Sequence, residues 1–291
     1  MKFFGASKSD DTQLMTPQGG DGAAAPPQSS APGDMAEMGF LDHLEEFRWS
    51  LIKGFAGILV ATLACAFFYK WIIDALLLGP TKPEFFMYEV FGMEATKIDL
   101  LNRTITGQFF ASIGIVVSVG IVIGSPIFVY SMWKFIEPGL YPEEKQGMRF
   151  AAAFATIFFV LGISFGYLVI TPLALQFFNN YIISDQIVNE FDITRYFSMV
   201  TFWSFGLGVL FQMPVVIYFL SRAGIVNPEF LKRSRKYALI VVLVLGAFFT
   251  PPDPVSQVLV AMPLMLLYEF SIRLSAYTVR KRDEALAKAL E

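Results

Sequence analysis

A short hydrophilic stretch, residues 135–145 (FIEPGLYPEEK), separates two long apolar segments of this 291-residue chain. It contains a helix stop, Pro138-Gly139, and the adjacent carboxylates Glu143 and Glu144. A break this short between two membrane-spanning segments lies at a membrane surface. A carboxylate held there is suited to bind a guanidinium, because a bidentate Arg–carboxylate pair is strong and geometrically specific. The alternative is a tight turn whose charges are simply solvated.

The composition is that of a membrane protein. Hydrophobic residues make up 55% of the chain, against about 45–50% in soluble domains, and the excess is concentrated in runs of membrane-spanning length. The formal net charge of -3 gives no indication of nucleic-acid binding. One cysteine, Cys65, and one histidine, His43, exclude an intramolecular disulfide, a cysteine metal cluster and a multi-histidine site, so we expect no metal or cofactor.

Six apolar runs predict the fold class, an all-α polytopic membrane protein with six transmembrane helices. The predicted spans are about 51–78, 105–130, 150–171, 197–220, 237–249 and 255–270. The fifth and sixth are short for a crossing of about 20 residues, which implies bilayer thinning or shelter by a partner. We expect Pro172 to stop or kink the third span, and Gln212 and Pro214 to place a polar group and a kink in the fourth.

Three regions are predicted along the chain. Residues 1–36 are rich in Gly, Ala, Pro, Ser and Gln, and are expected to form a disordered tail because they bury too little apolar surface to offset chain entropy. Residues 37–275 form the six-span membrane domain, within which residues 81–104 are expected to fold as a cap at the membrane surface. Residues 276–291 form a charged tail.

Basic residues are concentrated in alternate loops. One side of the membrane receives the two termini and the loops that contain Arg48, Lys53, Lys134, Lys145, Arg149, the cluster from Arg222 to Lys236, Arg273 and Arg280 to Arg282. The other side receives fewer: Lys82, Lys97, Arg103 and Arg195. The positive-inside rule therefore predicts that both termini and the 135–145 loop are cytoplasmic.

Several function classes are disfavoured by what the sequence lacks. It has neither a phosphate-binding loop ending in Gly-Lys-Ser/Thr nor an HExxH motif, so we predict no catalytic residue and no enzyme. Long stretches of the spans contain no acid or base, whereas proton relays and ion-coupled transporters usually carry them at mid-membrane. Gln212 is an exception among these apolar spans, because its side chain is polar. It either makes a helix–helix hydrogen bond or contacts a ligand that enters the bundle. Asp253 follows two prolines and is alternatively a cap for the sixth helix.

Four motifs in order resemble the TatC family, the multi-spanning receptor subunit of the twin-arginine (Tat) protein translocase. They are His43-Leu44-Glu45-Glu46-Phe47-Arg48, the loop from Phe135 to Glu144, Phe211-Gln212-Met213-Pro214, and Thr250-Pro251-Pro252-Asp253 followed by Ser256-Gln257. The resemblance extends from about residue 40 to 277. The loop and the Thr-Pro-Pro-Asp turn in this order within six spans form a specific combination, whereas either motif alone is weak.

The resemblance implies a site for signal peptides that bear paired arginines. By motif position, Glu144 faces those arginines, Glu46 and Arg48 join it from the N-terminal motif, and four residues shape the site. These four are Phe135, Pro138, Leu140 and Tyr141. The family also implies a concave six-helix bundle in a bacterial cytoplasmic (inner) membrane, with both termini in the cytoplasm.

The resemblance also implies protein partners. Asp253 and Gln257 match the region where the family meets small single-span subunits of the TatA and TatB type, and self-association is expected as well. Gln212 is the third intramembrane polar residue singled out. Many family members carry a glutamate at that position, so the neutral amide here favours a hydrogen-bonding role over one that needs a charge.

The function predicted from these observations is that of a Sec-independent protein translocase subunit. It would recognise twin-arginine signal peptides of folded proteins and nucleate the export complex. The family implies the proton-motive force as the energy source, in keeping with the missing nucleotide site. The alternative is a small-solute secondary transporter in which the kinked fourth span and Gln212 line a midplane pocket. A membrane scaffold without a ligand is a third possibility.

Overall fold

The structure is a computed structural model that describes residues 40–136, 145–250 and 254–289. The predicted N-terminal tail, residues 1–36, lies outside the described residues. Within the described ranges, five helices are long and apolar enough to cross a membrane: residues 44–66, 107–132, 152–180, 193–222 and 256–284. The all-α polytopic fold predicted from the sequence is confirmed. The fifth predicted span forms a helix too short to be counted among these five.

The first span ends irregularly. Helix α1 (Phe40–Ala66) is followed by α2 (Tyr69–Ile72), by a π-helical turn at Ile73–Leu77 and by a 3-10 turn at Gly79–Thr81. The carbonyl groups that such a helix end leaves open accept hydrogen bonds from three tyrosine hydroxyls. The hydroxyls of Tyr88, Tyr167 and Tyr196 donate to the carbonyls of Pro80, Leu76 and Leu77, each at 2.6 Å.

A small cap follows the first span and packs on the bundle. It contains α3 (Phe86–Val90) and strand β1 (Leu100–Leu101), which pairs in parallel with β2 (Phe191–Asp192) from the connection after the third span. Tyr88 is buried in this cap, and its burial raises the pKa of the phenol. The structure thus joins two connections on the same side of the bundle.

The second span, α4 (Gly107–Ile136), packs antiparallel against α1. Small residues allow the two backbones to approach closely. A Cβ added to Gly120 would lie 2.6 Å from the Cα of Thr62, and one added to Gly124 would lie 2.7 Å from the Cα of Ile58. On the α1 side, Gly54 and Gly57 lie against Phe128 and Ile127.

The third and fourth spans are each built from two helices. In the third, α5 (Lys145–Phe165) continues through a π-helical turn (Gly166–Ile170) into α6 (Thr171–Asn180), so Pro172 lies in the first turn of α6 and does not stop the span. In the fourth, α7 (Ile193–Leu210) and α8 (Met213–Arg222) meet at Phe211-Gln212, just before Pro214. This break is where the sequence predicts the kink.

The last part of the chain contains α9 (Pro228–Arg233), α10 (Arg235–Phe249) and α11 (Pro254–Ala289). The fifth span, α10, is short as predicted, with 15 residues. The prediction of a short sixth helix is wrong, because α11 has 36 residues. Its polar half keeps the helical conformation beyond Phe270 because it is rich in strong helix formers and carries the i,i+4 ion pair Arg280–Glu284 at 2.8 Å.

The largest core cluster joins the third, fourth, fifth and sixth spans. Its buried members are Ile170, Ala174, Trp203, Leu207, Phe211, Val242, Phe249, Val260, Ala261 and Leu264. A second cluster holds the end of the first span against α4, α6 and α7. Most of the remaining large apolar side chains are exposed on the outer faces of the helices, as expected of a protein whose solvent there is lipid.

Asp192 fixes the start of α7 and the neighbouring cap segment. Its Oδ1 accepts hydrogen bonds from the backbone N–H groups of Arg195 (3.1 Å) and Thr194 (2.9 Å), and its Oδ2 accepts one from the N–H of Arg103 (3.2 Å). These bonds favour the ionised form, so the pKa of Asp192 is held below its usual value of 3.8. The carboxylate therefore stabilises the fold above that value, and this contribution is lost as the pH falls through the lowered pKa.

We predict that replacing Gly120 with alanine destabilises the protein by about 1–3 kcal/mol, as overpacking at a close contact does. The Cβ would meet the backbone of Thr62, which cannot rotate away as a side chain can. Thermal unfolding of the purified protein in detergent measures the loss. Ile123→Ala, at a 57% exposed position of the same helix, is the control and is expected to change the midpoint far less. Equal midpoints for wild type and Gly120→Ala would contradict the close packing.

We predict that Asp192→Asn lowers the thermal midpoint near pH 7 and that the difference from wild type shrinks as the pH falls from about 4 through the lowered pKa of Asp192. Unfolding at pH 7, 5 and 3 tests this pH dependence. Asp185→Asn, in the same cap region, is the matched control, since Asp185 is exposed and has no hydrogen bond among the described residues. A difference that stays constant across this range would contradict the assigned role.

Candidate functional site

Half of the residues predicted to form sites can be placed. Glu144, Pro138, Leu140, Tyr141 and Asp253 lie outside the described residues. The structure describes the other five: Glu46, Arg48, Phe135, Gln212 and Gln257. Two of them, Glu46 and Phe135, lie at the same end of the α1–α4 pair, whereas Gln212 and Gln257 lie elsewhere in the bundle.

The register of α1 against α4 sets the position of the N-terminal motif. Because the helices are antiparallel, the contacts move back along α1 as they move forward along α4. The successive pairs are Thr62–Gly120, Ile58–Gly124 and Gly54–Phe128. At the end of this series the rings of Phe47 and Phe135 pack with centroids 5.1 Å apart and planes at 54°. Glu46 is therefore level with the last residues of α4.

The carboxylate of Glu46 is the distinctive chemical feature of this region. The residue is half-buried, and its Oε2 is shielded from solvent without a hydrogen-bond partner among the described residues. Three other buried polar side-chain atoms in the described part share this condition, and they belong to Gln176, Thr194 and Ser204. Only the Glu46 atom belongs to an ionisable group. A buried acceptor without a donor is costly, so a cationic ligand that supplies one is favoured.

Arg48 forms its ion pair with Glu45 and not with Glu46. Its Nη2 lies 3.7 Å from Oε1 of Glu45, with both side chains about two-thirds exposed. Such an i,i+3 pair on an exposed face contributes little to stability, roughly 0–1 kcal/mol. The guanidinium also lies 5.8 Å from the ring centroid of Trp49. Arg48 thus leaves the buried carboxylate oxygen of Glu46 available.

Gln212 makes a helix–helix hydrogen bond, which is one of the two roles that the sequence left open for it. Its Nε2 donates to the carbonyl of Ala155 in α5 at 2.9 Å, which ties the break in the fourth span to the third span. Gln257 does the same between the fifth and sixth spans, donating from Nε2 to the carbonyl of Leu243 at 3.0 Å. Both amides are partly buried, and both satisfy a donor inside the bundle.

An apolar groove of about 570 Å³ lies between the third span and the start of α11. It is lined by Phe165, Val169, Pro254, Val258, Leu259, Met262 and Pro263. None of these residues is charged or has a polar side chain. Sequence reasoning did not single out this groove, although the spacing of the exposed apolar residues Val258, Met262 and Leu266 at i, i+4 and i+8 was a readable signal.

The described residues contain no group of three or more His, Cys, Asp or Glu side chains that could hold a metal ion. The two features described above offer charge pairing at Glu46 and apolar contact in the groove. Neither arrangement fits the binding of a polar solute at mid-membrane, which the transporter alternative requires.

Comparison with known proteins gives one consistent result. Residues 42–263 match the family model described as Sec-independent protein translocase protein (TatC). A TatC protein of Blattabacterium sp. subsp. Periplaneta americana is 33% identical, covering 84% of this chain and 98% of the relative, and one of Aquifex aeolicus is 33% identical, covering 85% and 98%. A crystal structure of the twin-arginine translocase receptor TatC in DDM aligns with a TM-score of 0.64 and 33% identity, over 80% of this chain and 99% of that one.

The family match covers more than half of the chain, and the relatives are matched over nearly their whole length. The order of the four sequence motifs, the span organisation and these comparisons therefore agree. The chain belongs to the TatC family of Sec-independent protein translocase proteins.

Proposed function

We propose that this protein is the receptor that captures twin-arginine signal peptides of folded proteins and nucleates the export complex. The observation that carries the proposal is the buried, unpartnered Oε2 of Glu46 at the end of the α1–α4 pair. A guanidinium offers several donors in a planar fork and fits such a carboxylate better than an ammonium does. Similarity to the twin-arginine translocase receptor supports this assignment.

Two carboxylates would serve the two arginines. Glu46 supplies one from α1, and Glu144 supplies the other from the loop that begins just after α4. Phe135 packs on Phe47 and gives the pair an apolar border, which excludes water and raises the strength of an ion pair over that at an open surface. In the same proposal Pro138, Leu140 and Tyr141 shape the loop, and Arg48 stays on the exposed side of the site.

The protein resides in a bacterial inner membrane in this proposal, with both termini and the peptide site on the cytoplasmic side. The distribution of basic residues supports this orientation. The proton-motive force supplies the energy, since the sequence contains no phosphate-binding loop. The transporter alternative loses its main support, because the Gln212 amide is engaged with Ala155.

Partner subunits with a single span would dock at the apolar groove between the third span and α11. The exposed stripe of Val258, Met262 and Leu266 offers one face for an apolar helix. Gln257 lies at the same end of α11, although its Nε2 is already bonded to the carbonyl of Leu243, and Asp253 directly precedes α11 in the sequence. Further copies of the receptor are expected to assemble with these subunits.

We predict that Glu46→Gln weakens capture of a twin-arginine peptide at least about tenfold, because a hydrogen bond to a charged group contributes about 1.5–3 kcal/mol. Binding is measured with a fluorescent signal peptide and by photocrosslinking from a probe beside Glu144. A twin-lysine peptide is the ligand control and is expected to bind weakly to both proteins.

Glu45→Gln is the matched protein control, since Glu45 is the adjacent carboxylate but is exposed and paired with Arg48. It is expected to leave capture within about twofold of wild type, as exposed ion pairs contribute little. Equal binding by wild type and Glu46→Gln, or equal binding of the arginine and lysine peptides, would rule out the proposed site.

We predict that Met262→Trp reduces co-purification of single-span Tat subunits, because the larger ring fills the groove that receives the partner helix. Leu63→Trp, at a 57% exposed position on α1, introduces the same ring away from the groove and is expected to leave co-purification unchanged. The amount of partner recovered with the detergent-solubilised receptor gives the comparison. Unchanged recovery with Met262→Trp would exclude this groove as the docking site.

A further inference from the structure

The connection between the fourth and fifth spans presents a strongly basic surface. Residues 225–237 carry four cationic side chains and a single carboxylate, Glu229. One cation, Arg235, is already neutralised. Its Nε and Nη2 bond to the two carboxylate oxygens of Glu269 in α11, at 2.7 and 2.8 Å, which is the bidentate geometry of a strong pair.

The other three cations, Lys232, Arg233 and Lys236, are exposed and form no ion pair with any carboxylate that the structure describes. We call them the α9–α10 basic surface. The Nζ of Lys236 lies 5.0 Å from the ring centroid of Tyr237, a contact that leaves its charge available to a ligand. Three neighbouring cations without counter-charges repel one another, so an anion between them is favoured.

Exposed apolar side chains beside these cations indicate how deep in the membrane the cations lie. Ile225, Phe230 and Tyr237 are 72%, 63% and 59% exposed. Beyond Tyr237, α10 immediately presents Ile240 and Val244 on its outer face, 59% and 64% exposed, as a lipid-facing helix does. The basic surface therefore lies where an apolar face meets a polar one, at the level of lipid headgroups.

The backbone that carries the cations is held in place by α11. Leu231 is buried, and its carbonyl accepts a hydrogen bond from the hydroxyl of Tyr268 at 2.9 Å. The hydroxyls of Ser221 and Ser275 lie 2.6 Å apart, which joins the end of α8 to the same helix. The three cations are thus displayed from a fixed support, which lowers the entropic cost of binding.

We propose that the α9–α10 basic surface binds the phosphate headgroup of an anionic phospholipid in the adjacent leaflet. Arg233 offers the planar fork that matches phosphate oxygens, and Lys232 and Lys236 add point charges on either side of it in sequence. The apolar neighbours accommodate the acyl region of the same lipid. The site uses none of the residues assigned to the signal peptide, and it does not depend on the peptide site.

The test is lipid binding to the purified full chain in a neutral detergent, measured by native mass spectrometry with phosphatidylglycerol and phosphatidylcholine. Wild type is expected to prefer phosphatidylglycerol. The triple variant K232Q/R233Q/K236Q is expected to lose this preference, with affinity for phosphatidylglycerol reduced at least about tenfold, a conservative figure since each basic residue near an anionic surface contributes roughly fivefold.

The matched control is K82Q/K97Q/R195Q, which removes three positive charges from the opposite side of the bundle and is expected to keep the preference. If this control lost as much affinity as the triple variant, net charge alone would explain binding, and the site would be rejected. Equal affinity of wild type for the two lipids, or unchanged affinity in K232Q/R233Q/K236Q, would reject it too. The single substitution Lys236→Gln replaces the triple variant if the latter fails to fold.

Two further measurements are needed. One distinguishes a lipid headgroup from a free phosphate as the ligand, and the other distinguishes the lipid site from the peptide site. Glycerol 3-phosphate that competes at the same concentration as phosphatidylglycerol would indicate a site for free phosphate and overturn the lipid assignment. Twin-arginine peptide binding, measured on the same triple variant, is expected to be unchanged. Lost lipid binding with normal peptide capture supports the lipid site independently of the receptor function.

Discussion

The close antiparallel packing of α1 on α4 is the contact on which the candidate peptide site depends. Glycines on both helices remove the side chains that would separate the backbones, so the two helices are held in one register over most of their length. That register places Glu46 level with the end of α4 and packs the ring of Phe47 against that of Phe135. The carboxylate is thus positioned by the packing of α1 on α4 along their length.

The rest of the bundle follows from the need to satisfy polar groups in an apolar solvent. The irregular end of the first span is held by three tyrosine hydroxyls and the break in the fourth span by Gln212, and Gln257 joins the last two helices, α10 and α11. Each of these polar groups finds its partner inside the protein. Glu46 differs because its shielded oxygen has no partner in the described part of the chain, which is the condition expected of a group that awaits a ligand.

The sequence was sufficient for the fold class and for most span boundaries because long apolar runs and proline breaks are local signals. It also predicted the kink at Gln212 and Pro214. It was wrong about the length of α11, because the end of an apolar run marks the end of a membrane span and not the end of the helix, which strong helix formers continue beyond Phe270. The apolar groove and the pairing of Phe47 with Phe135 depend on register between distant segments, which periodicity does not encode. Motif resemblance named Glu46, but only the packed structure shows its oxygen buried.

The unbroken length of α11 has a mechanical consequence. Its 36 residues span about 54 Å, nearly twice the roughly 30 Å hydrocarbon thickness of a bilayer. Its packed region lies around Val260 and Leu264, beside the in-helix proline Pro263, and the polar half extends beyond that region. A tilt of about 10° moves one end relative to the other by about 9 Å over that length. The polar end near Arg280 and the groove at Pro254 thus belong to one helix, and no loop separates them.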